Sequence, residues 1–324
     1  MKFLQRALKS IQEKFQLFAE SLDKSEGGIL NDASVKGDAL KLFIILANIL
    51  QGFELEHQGN NQRSGKLIEE TILPFMLQSI NYICLYLELF SSHEEFVETL
   101  SRLIKLSVKI CGMKLENFYE KMLFSTLKVF EMDPFRNISL LDTINTLVVY
   151  FENSNKQKEW LFSNLSGFNT FMFQSLIKNY EQSNDMFFKW IDILSNILHM
   201  YRDFFLELKE VGQIIDLIIR AFYEFNEHKL LRKLIQFLTA FIGVRSNIKA
   251  PIVLNNLPKI LAFALIRLPD IDAQRIKMLT KVVLAILCGL EDQEAYIIEL
   301  FFSVLGMDRY SDIGRQQKVR RYLL

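Results

Sequence analysis

Three basic residues at helical spacing are the strongest candidate for a binding function in this sequence. Arg102, Lys105 and Lys109 lie in the segment FVETLSRLIKLSVKICG and would form a stripe about 60° wide on a helix. Apolar residues of the same segment fall on the opposite side: Leu100, Leu103 and Ile104. No acidic residue lies three or four positions from Lys105 or Lys109, whereas Glu98 lies four before Arg102. Such a row can hold phosphate or carboxylate groups, and a solvated helix face is the alternative interpretation.

The residues that metal binding or covalent catalysis would need are dispersed. Four histidines lie far apart: His57, His93, His199 and His228. The sequence has no His-Glu-x-x-His, Cys-x-x-Cys or Gly-x-Ser-x-Gly motif and no glycine-rich phosphate loop, so we predict no enzymatic activity and no resident metal or cofactor. Cys84, Cys111 and Cys288 are odd in number and sit among apolar residues. We expect all three to be buried free thiols in a reducing compartment, without a disulfide.

The charge balance argues against general binding to nucleic acid. The chain carries 38 basic and 38 acidic side chains, whereas neutralising phosphates normally requires a basic excess. One local excess lies in Arg309–Leu324, which has five basic residues and one acidic residue. This segment is either a solvated terminal helix or tail, or a contact for acidic partners.

Targeting and membrane signals are weak. Charges are spread through Met1–Lys24, which therefore lacks the charged start and apolar core of a signal peptide. The longest uncharged run, Thr71–Leu87, has 17 residues and includes Pro74, Gln78 and Asn81. It falls short of the roughly 20 apolar residues that a spanning helix needs, so we predict a buried helix and no membrane insertion.

The distribution of apolar residues predicts an all-α protein. Glycine and proline are scarce, with 13 and 5 residues, which disfavours a chain of short strands joined by tight turns. Apolar residues recur every three or four positions, as in Val211, Ile215, Ile218 and Phe222. No useful stretch alternates with a period of two.

The predicted helices come in pairs with a regular period. First helices are expected to begin near six positions: Val35, His93, Asn137, Asn184, Glu227 and Asp270. Second helices are expected near six others: Lys66, Lys114, Asn155, Asp203, Ala250 and Asp292. The first helices start 58, 44, 47, 43 and 43 residues apart, and a polar insertion, Glu56–Gly65, accounts for the longest interval. A period of about 40–47 residues with two helices is typical of HEAT and armadillo repeats. We therefore predict a single α-solenoid domain over residues 1–324, with about six helix pairs plus flanking helices.

Prolines predict two local features of these helices. Asp133-Pro134 should end the helix before it, because a proline disfavours helical geometry in the preceding residue. Pro258 should kink or split the helix that begins near Ala250.

The chain resembles the carboxy-terminal third of a karyopherin-β nuclear transport receptor, in the transportin-SR and importin-thirteen branch. The resemblance covers nearly the whole chain through helix lengths, order and apolar pattern. Three stretches carry most of it: GDALKLFIILANILQGF with the later KLIEETILPFMLQSI, then FVETLSRLIKLSVKICG, then the segment from FFKWIDILSNILHMYRDFF to LLRKLIQFLTAFI.

The resemblance implies a cargo-binding role for the basic stripe. In transportin-SR the corresponding helix carries a row of arginines that binds arginine/serine-rich, often phosphorylated, cargo. That row falls here on Thr99, Arg102, Lys105 and Lys109, so three of four positions are basic. Two of them are lysines, which offer point charges instead of a bidentate fork, and other cargoes fit the importin-thirteen alternative.

The resemblance also implies partners and a location. It suggests a nuclear import receptor, or its cargo-binding end, that moves between cytoplasm and nucleus and contacts the Phe-Gly repeats of nucleoporins. The Ran-binding surface of such receptors lies mainly in amino-terminal repeats without a counterpart in this sequence, so we expect no Ran binding by these residues. A helical-repeat scaffold of another complex, such as a vesicle coat or a phosphatase assembly, is the alternative, because one fold serves many functions.

Overall fold

The computed structural model describes most of the chain. The described residues are 2–24, 33–58, 62–152, 158–178, 184–243, 250–266, 273–290 and 293–305. Every regular element within these ranges is helical, and none of them contains a strand. The all-α prediction is confirmed.

The chain forms two compact units, Met1–Ile193 (unit 1) and Leu194–Leu324 (unit 2). The α-helices up to the unit boundary are α1 Lys2–Lys24, α2 Ala33–Gln58, α3 Gln62–Leu67, α4 Leu73–Leu89, α5 Glu94–Cys111, α6 Tyr119–Met132, α7 Ser139–Phe151, α8 Lys158–Lys178 and α9 Asn184–Met200. The remaining α-helices are α10 Arg202–Glu207, α11 Val211–Glu224, α12 His228–Ile242, α13 Pro251–Ile266, α14 Ala273–Gly289 and α15 Glu294–Leu305. A π-helical turn, Ile68–Ile72, joins α3 to α4, and a 3₁₀ segment, Gly112–Phe118, joins α5 to α6.

Unit 1 is built from two rows of helices. Helices α2, α5 and α7 lie side by side in one row, and α1, α4, α6 and α8 follow one another in the second. Contacts between α4 and α5 and between α6 and α7 join the rows. Each row buries the apolar side of the other, as expected for paired amphipathic helices.

Unit 2 repeats this pattern within its own residues. Helices α12 and α14 form one row, and α11, α13 and α15 form the other. Helix α13 contacts both α12 and α14. The four apolar residues that predicted α11 are all buried: Val211, Ile215, Ile218 and Phe222.

The expected helix starts agree closely with the described elements. Seven helices begin within two residues of their predicted positions: α2, α5, α7, α9, α10, α12 and α13. The starts predicted at Lys66 and Lys114 are wrong, since Lys66 lies inside α3 and Lys114 inside the 3₁₀ segment that precedes α6. Helix α6 ends at Met132, before Asp133-Pro134, as the proline predicts. The predicted starts at Asn155, Asp270 and Asp292 lie outside the described residues.

Of the two outcomes predicted for Pro258, the split is wrong, since α13 runs unbroken from Pro251 to Ile266, and the kink stays a prediction. A proline inside a helix costs about 3 kcal/mol because it removes one backbone hydrogen bond and crowds the preceding turn. Leu257, Ile260 and Leu261 beside it are fully buried. Burial of several such side chains, at roughly 1.5–3 kcal/mol each, offsets that cost.

One described stretch has the length and composition of a membrane-spanning helix. Gly65–Leu89 has a mean hydropathy of 1.3 in its most apolar window, and 50% of that window is buried by the rest of the protein. Met76, Ile80 and Leu87 within it have no exposed surface. The burial agrees with the predicted core helix, and the absence of membrane insertion stays a prediction.

A buried polar contact joins α5 to α7. The Ser101 and Thr143 hydroxyl oxygens lie 2.7 Å apart, and the Thr143 hydroxyl donates to the Ser101 carbonyl oxygen at 3.1 Å. Both side chains are buried, so each hydroxyl depends on the other for its hydrogen bonds.

We predict that Thr143→Val will lower the free energy of unfolding by about 1–3 kcal/mol, because it leaves the buried Ser101 hydroxyl without its partner. The double variant Ser101→Ala, Thr143→Val should recover part of this loss. Urea unfolding followed by circular dichroism measures both. Two results would contradict this account. One is a Thr143→Val variant as stable as the wild type. The other is a double variant whose loss in free energy of unfolding equals the sum of the losses of the two single variants.

Candidate binding surface

Helix α5 carries the predicted basic stripe and is enclosed by its neighbours. It begins after His93, which has extended backbone geometry. Glu94 and Glu95 occupy its first turn, where their negative charges stabilise the helix by interacting with the positive end of its dipole. It ends at Gly112, whose φ of 52° and ψ of −139° belong to a region that is open almost only to glycine. Helices α2, α4 and α7 all pack against it.

This packing leaves one narrow exposed strip on α5. Eleven of its 18 residues are buried, including Leu100, Leu103 and Ile104, which the stripe prediction placed toward the core. The seven residues that retain exposure are Glu94, Glu95, Glu98, Thr99, Arg102, Lys105 and Lys109. The structure therefore places the three predicted basic residues together on the only side of α5 that solvent reaches.

Two of the three basic side chains bind polar groups of α2. Arg102 donates from Nη2 to the side-chain oxygen of Gln51 and to Asn48 Oδ1, the latter at 3.5 Å. Lys109 Nζ forms an ion pair with Glu54 Oε1 at 2.8 Å. The acid that sequence spacing did not supply to Lys109 thus comes from the neighbouring helix.

Sequence reasoning missed these three α2 residues. Asn48, Gln51 and Glu54 recur at intervals of three in the otherwise apolar segment LANILQGFELE, which is a detectable polar stripe. Matching it to the stripe of α5 requires knowing that α2 lies beside α5, which the sequence alone does not show.

Tyr150 of α7 lies next to the ion pair. The pKa of its phenol is raised, first by burial, while the positive charge of Lys109 opposes the rise and the carboxylate of Glu54 adds to it. Residues from α2, α5 and α7 therefore meet at this end of the stripe. Tyr150 was not identified as a site residue, because an isolated tyrosine on an apolar helix has no sequence signature for function.

Lys105 differs from the other two basic residues. No hydrogen bond or ion pair joins it to any residue that the structure describes, and its side chain is partly exposed. Its ammonium group has three donors available for an incoming anion. Arg102 and Lys109 would first have to give up their α2 partners, and the ion pair of Lys109 is harder to break than a fully exposed pair because the Glu54 side chain is only 17% exposed.

The predictions for the cysteines hold for two of the three. Cys84 and Cys111 are buried free thiols, and burial raises the pKa of each to about 12. The prediction that Cys288 would also be buried is wrong, since this thiol is exposed on α14. Apolar residues close to Cys288 in sequence, such as Ile286, lie on the buried side of α14, whereas Cys288 lies on the exposed side.

Other predicted features of the site are located as follows. Within the described ranges, no three His, Cys, Asp or Glu side chains are grouped closely enough to hold a metal ion. The basic segment Arg309–Leu324 lies outside the described residues. Thr99, the neutral position of the stripe, lies one turn before Arg102 and is partly exposed.

No protein-family model matches this chain, and a search of curated proteins finds no significant similarity.

We predict opposite shifts of the Tyr150 pKa in two variants. Glu54→Gln removes the carboxylate that raises this pKa and should lower it, whereas Lys109→Met removes the opposing positive charge and should raise it further. Titration of ¹³Cζ-labelled tyrosine by NMR measures the shift, with Tyr150→Phe identifying the resonance. Shifts of the same sign, or none in either variant, would refute the arrangement.

We also predict that one thiol of the native chain reacts quickly with Ellman's reagent. Cys288 is exposed, whereas Cys84 and Cys111 are buried and, with pKa values near 12, hold almost no thiolate at pH 8. Cys288→Ser should abolish the fast phase, and denaturant should release two further thiols. A fast phase that persists in this variant would show that a buried cysteine is reachable.

Proposed function

We propose that this chain binds protein partners non-covalently as the cargo-binding part of a karyopherin-β-like nuclear import receptor, active in the cytoplasm and nucleus. The single observation that carries the proposal is the exposed strip of α5, where Arg102, Lys105 and Lys109 emerge from an otherwise buried helix. The helix that resembles the cargo-binding helix of transportin-SR thus presents its basic residues to solvent.

The helix order supports a HEAT/armadillo-like α-solenoid. Six consecutive pairs follow the predicted period: α2 with α3–α4, α5 with α6, α7 with α8, α9 with α10–α11, α12 with α13, and α14 with α15. Within each unit, helices of equivalent position lie side by side in one row. Stability in such stacks comes from the interfaces between neighbouring pairs. A single solenoid over residues 1–324 remains part of the proposal.

The surface around the stripe suits a cargo with alternating charges. Acidic side chains lie beside the basic ones, with Glu98 and Glu54 adjacent to Arg102 and Lys109. A phosphorylated arginine/serine segment presents both signs, so its phosphates can pair with the basic residues while its arginines pair with the acids. The two lysines give point-charge contacts, which tolerate more than one cargo geometry.

Contacts with nucleoporin Phe-Gly repeats follow only from the resemblance, and we assign no residues to them. We expect no Ran binding by this part of a receptor, and no direct binding to nucleic acid by the α5 surface. No enzymatic activity and no cofactor are part of the proposed function.

A helical-repeat scaffold of a coat or phosphatase assembly is the second candidate. The hydrogen bonds from Arg102 to α2 and the ion pair between Lys109 and Glu54 favour it, because they give the same residues a purely structural role between α2 and α5. In that case, binding of a phosphorylated peptide would not depend on the stripe.

We predict that the triple variant Arg102→Gln, Lys105→Gln, Lys109→Gln will bind a phosphorylated arginine/serine-repeat peptide about tenfold more weakly than the wild type. The reason is the loss of three charged donors, each worth roughly 0.5–1 kcal/mol or more at an exposed site. Fluorescence anisotropy with a labelled peptide measures the affinity.

A matched control replaces three exposed lysines elsewhere in unit 1, Lys9, Lys66 and Lys121, with glutamine. This control should bind the peptide as the wild type does, since it loses the same net charge away from the stripe. Equal affinity of wild type and stripe variant would eliminate the stripe as a cargo site and favour the scaffold alternative.

A further inference from the structure

A second basic surface lies in unit 2, between α12 and α14. The two helices pack side by side and leave a groove of about 240 Å³ between them. Nine residues line it: His228, Arg232, Ile235, Gln236, Thr239, Gln274, Lys277, Met278 and Lys281. Ile235 and Met278 are buried and form its floor, while Arg232, Lys277 and Lys281 are exposed on its walls.

The two helices carry positive charge and have no acidic residue of their own. Six basic residues belong to them: Lys229, Arg232, Lys233, Arg275, Lys277 and Lys281. Neither helix contains an Asp or Glu. The three cations that line the groove, Arg232, Lys277 and Lys281, repel one another, and none of the nine lining residues is acidic, so an anion that enters the groove relieves this repulsion.

The cations on the groove walls are available to a ligand. Arg275 is already engaged, because it donates to the Phe225 carbonyl oxygen at 3.0 Å and to Asn226 Oδ1 at 2.7 Å. In contrast, no ion pair or hydrogen bond joins Arg232, Lys277 or Lys281 to another residue in the part of the chain that the structure describes.

Neutral polar groups extend the groove beyond its charges. The Gln274 side chain donates a hydrogen bond to the His228 ring across one end of it. Gln236 lies one turn beyond Arg232 on the same helix face and offers an amide. A phosphate oxygen between the helices can therefore meet charged and neutral donors together, which is the usual composition of a phosphate site.

The length of the groove favours an extended ligand. From His228 to Thr239 the lining spans three turns of α12, or roughly 16 Å at a rise of about 1.5 Å per residue. About five residues of extended peptide cover this distance at roughly 3.3 Å each. Lys277 and Lys281, one helical turn apart, have side chains about 5–6 Å apart. Side chains two positions apart in an extended peptide point the same way at a similar spacing, about 6.6 Å.

The lining argues against single-stranded nucleic acid. None of the nine lining residues is Phe, Tyr or Trp, so bases would find no aromatic platform on which to stack. The groove also differs chemically from the α5 surface, because neither α12 nor α14 contains an acidic residue, whereas Glu54 and Glu98 lie beside the basic residues of α5. Arginines of an arginine/serine repeat would be repelled here, whereas phosphoserines without neighbouring basic residues would not.

We propose that the groove between α12 and α14 binds peptide segments with phosphoserines at alternating positions and few basic residues. Arg232 binds one phosphate through its bidentate fork, and Lys277 and Lys281 bind phosphates two residues apart. This site lies on helices other than α5 and does not depend on the proposed role of the basic stripe.

The test uses the full chain and a labelled peptide of alternating phosphoserine and alanine. The variant Arg232→Gln, Lys277→Gln, Lys281→Gln should bind it at least about tenfold more weakly than the wild type, as expected when three charged contacts are lost. All three side chains are exposed, so the fold should be kept, and circular dichroism checks this. The unphosphorylated peptide should not bind either protein.

The variant Lys9→Gln, Lys66→Gln, Lys121→Gln loses the same net charge away from the groove and should bind the phosphoserine–alanine peptide as the wild type does. Single-stranded oligouridylate and inositol hexakisphosphate are measured in parallel. No binding of the phosphopeptide, equal binding by the groove variant and the wild type, or an equal loss in the charge-matched control would each overturn the proposal. Tighter binding of oligouridylate or inositol hexakisphosphate than of the phosphopeptide would overturn it in favour of that ligand.

Discussion

Enclosure of α5 by α2, α4 and α7 is the constraint on which the surface of unit 1 depends. With eleven of its 18 residues buried, the helix has no freedom to rotate without exposing apolar side chains, and each of these contributes roughly 1.5–3 kcal/mol when buried. The Ser101–Thr143 contact adds a requirement on register, because a shift by one residue would leave two hydroxyls without partners. The basic residues are therefore held on one line, and a ligand meets them in a fixed arrangement.

The same type of helix packing produces two chemically different surfaces. In unit 1, ion pairs connect adjacent helices repeatedly: Lys109 with Glu54, Lys114 with Glu69, Lys128 with Glu88, and Lys189 with Asp142. Basic residues there face acids on the next helix, so the surface carries both signs. In unit 2, α12 and α14 lack acidic residues, and their shared groove is cationic. A net charge of zero for the whole chain conceals this difference, because it sums over surfaces that a ligand meets one at a time.

Much of the local structure could be predicted because it depends on residues close in sequence. The apolar period defines α11, and the proline after Asp133 ends α6. Features that depend on a second helix could not be predicted. Glu54 neutralises Lys109 only because α2 lies beside α5, and the exposure of Cys288 depends on which side of α14 its neighbours cover. Pro258 belongs to the same class, since a local rule favours a break and tertiary burial of Leu257 and Leu261 keeps the helix whole.

The partners of the basic residues determine how selective each surface can be. At α5 a ligand phosphate must replace Gln51 at Arg102 and Glu54 at Lys109, so only the difference between new and old contacts contributes to affinity. When the ligand phosphate pairs with Lys109, a cation on the same ligand can pair with the released Glu54, so neither side chain is left without a partner. This favours ligands that carry positive as well as negative charges over simple polyanions. At the groove of unit 2 no such exchange is needed, because Arg232, Lys277 and Lys281 have no partners to give up among the described residues. Affinity there depends on the density of negative charge, and added cations on the ligand reduce it. The two proposed sites would therefore distinguish phosphorylated segments by the presence or absence of arginines between the phosphates.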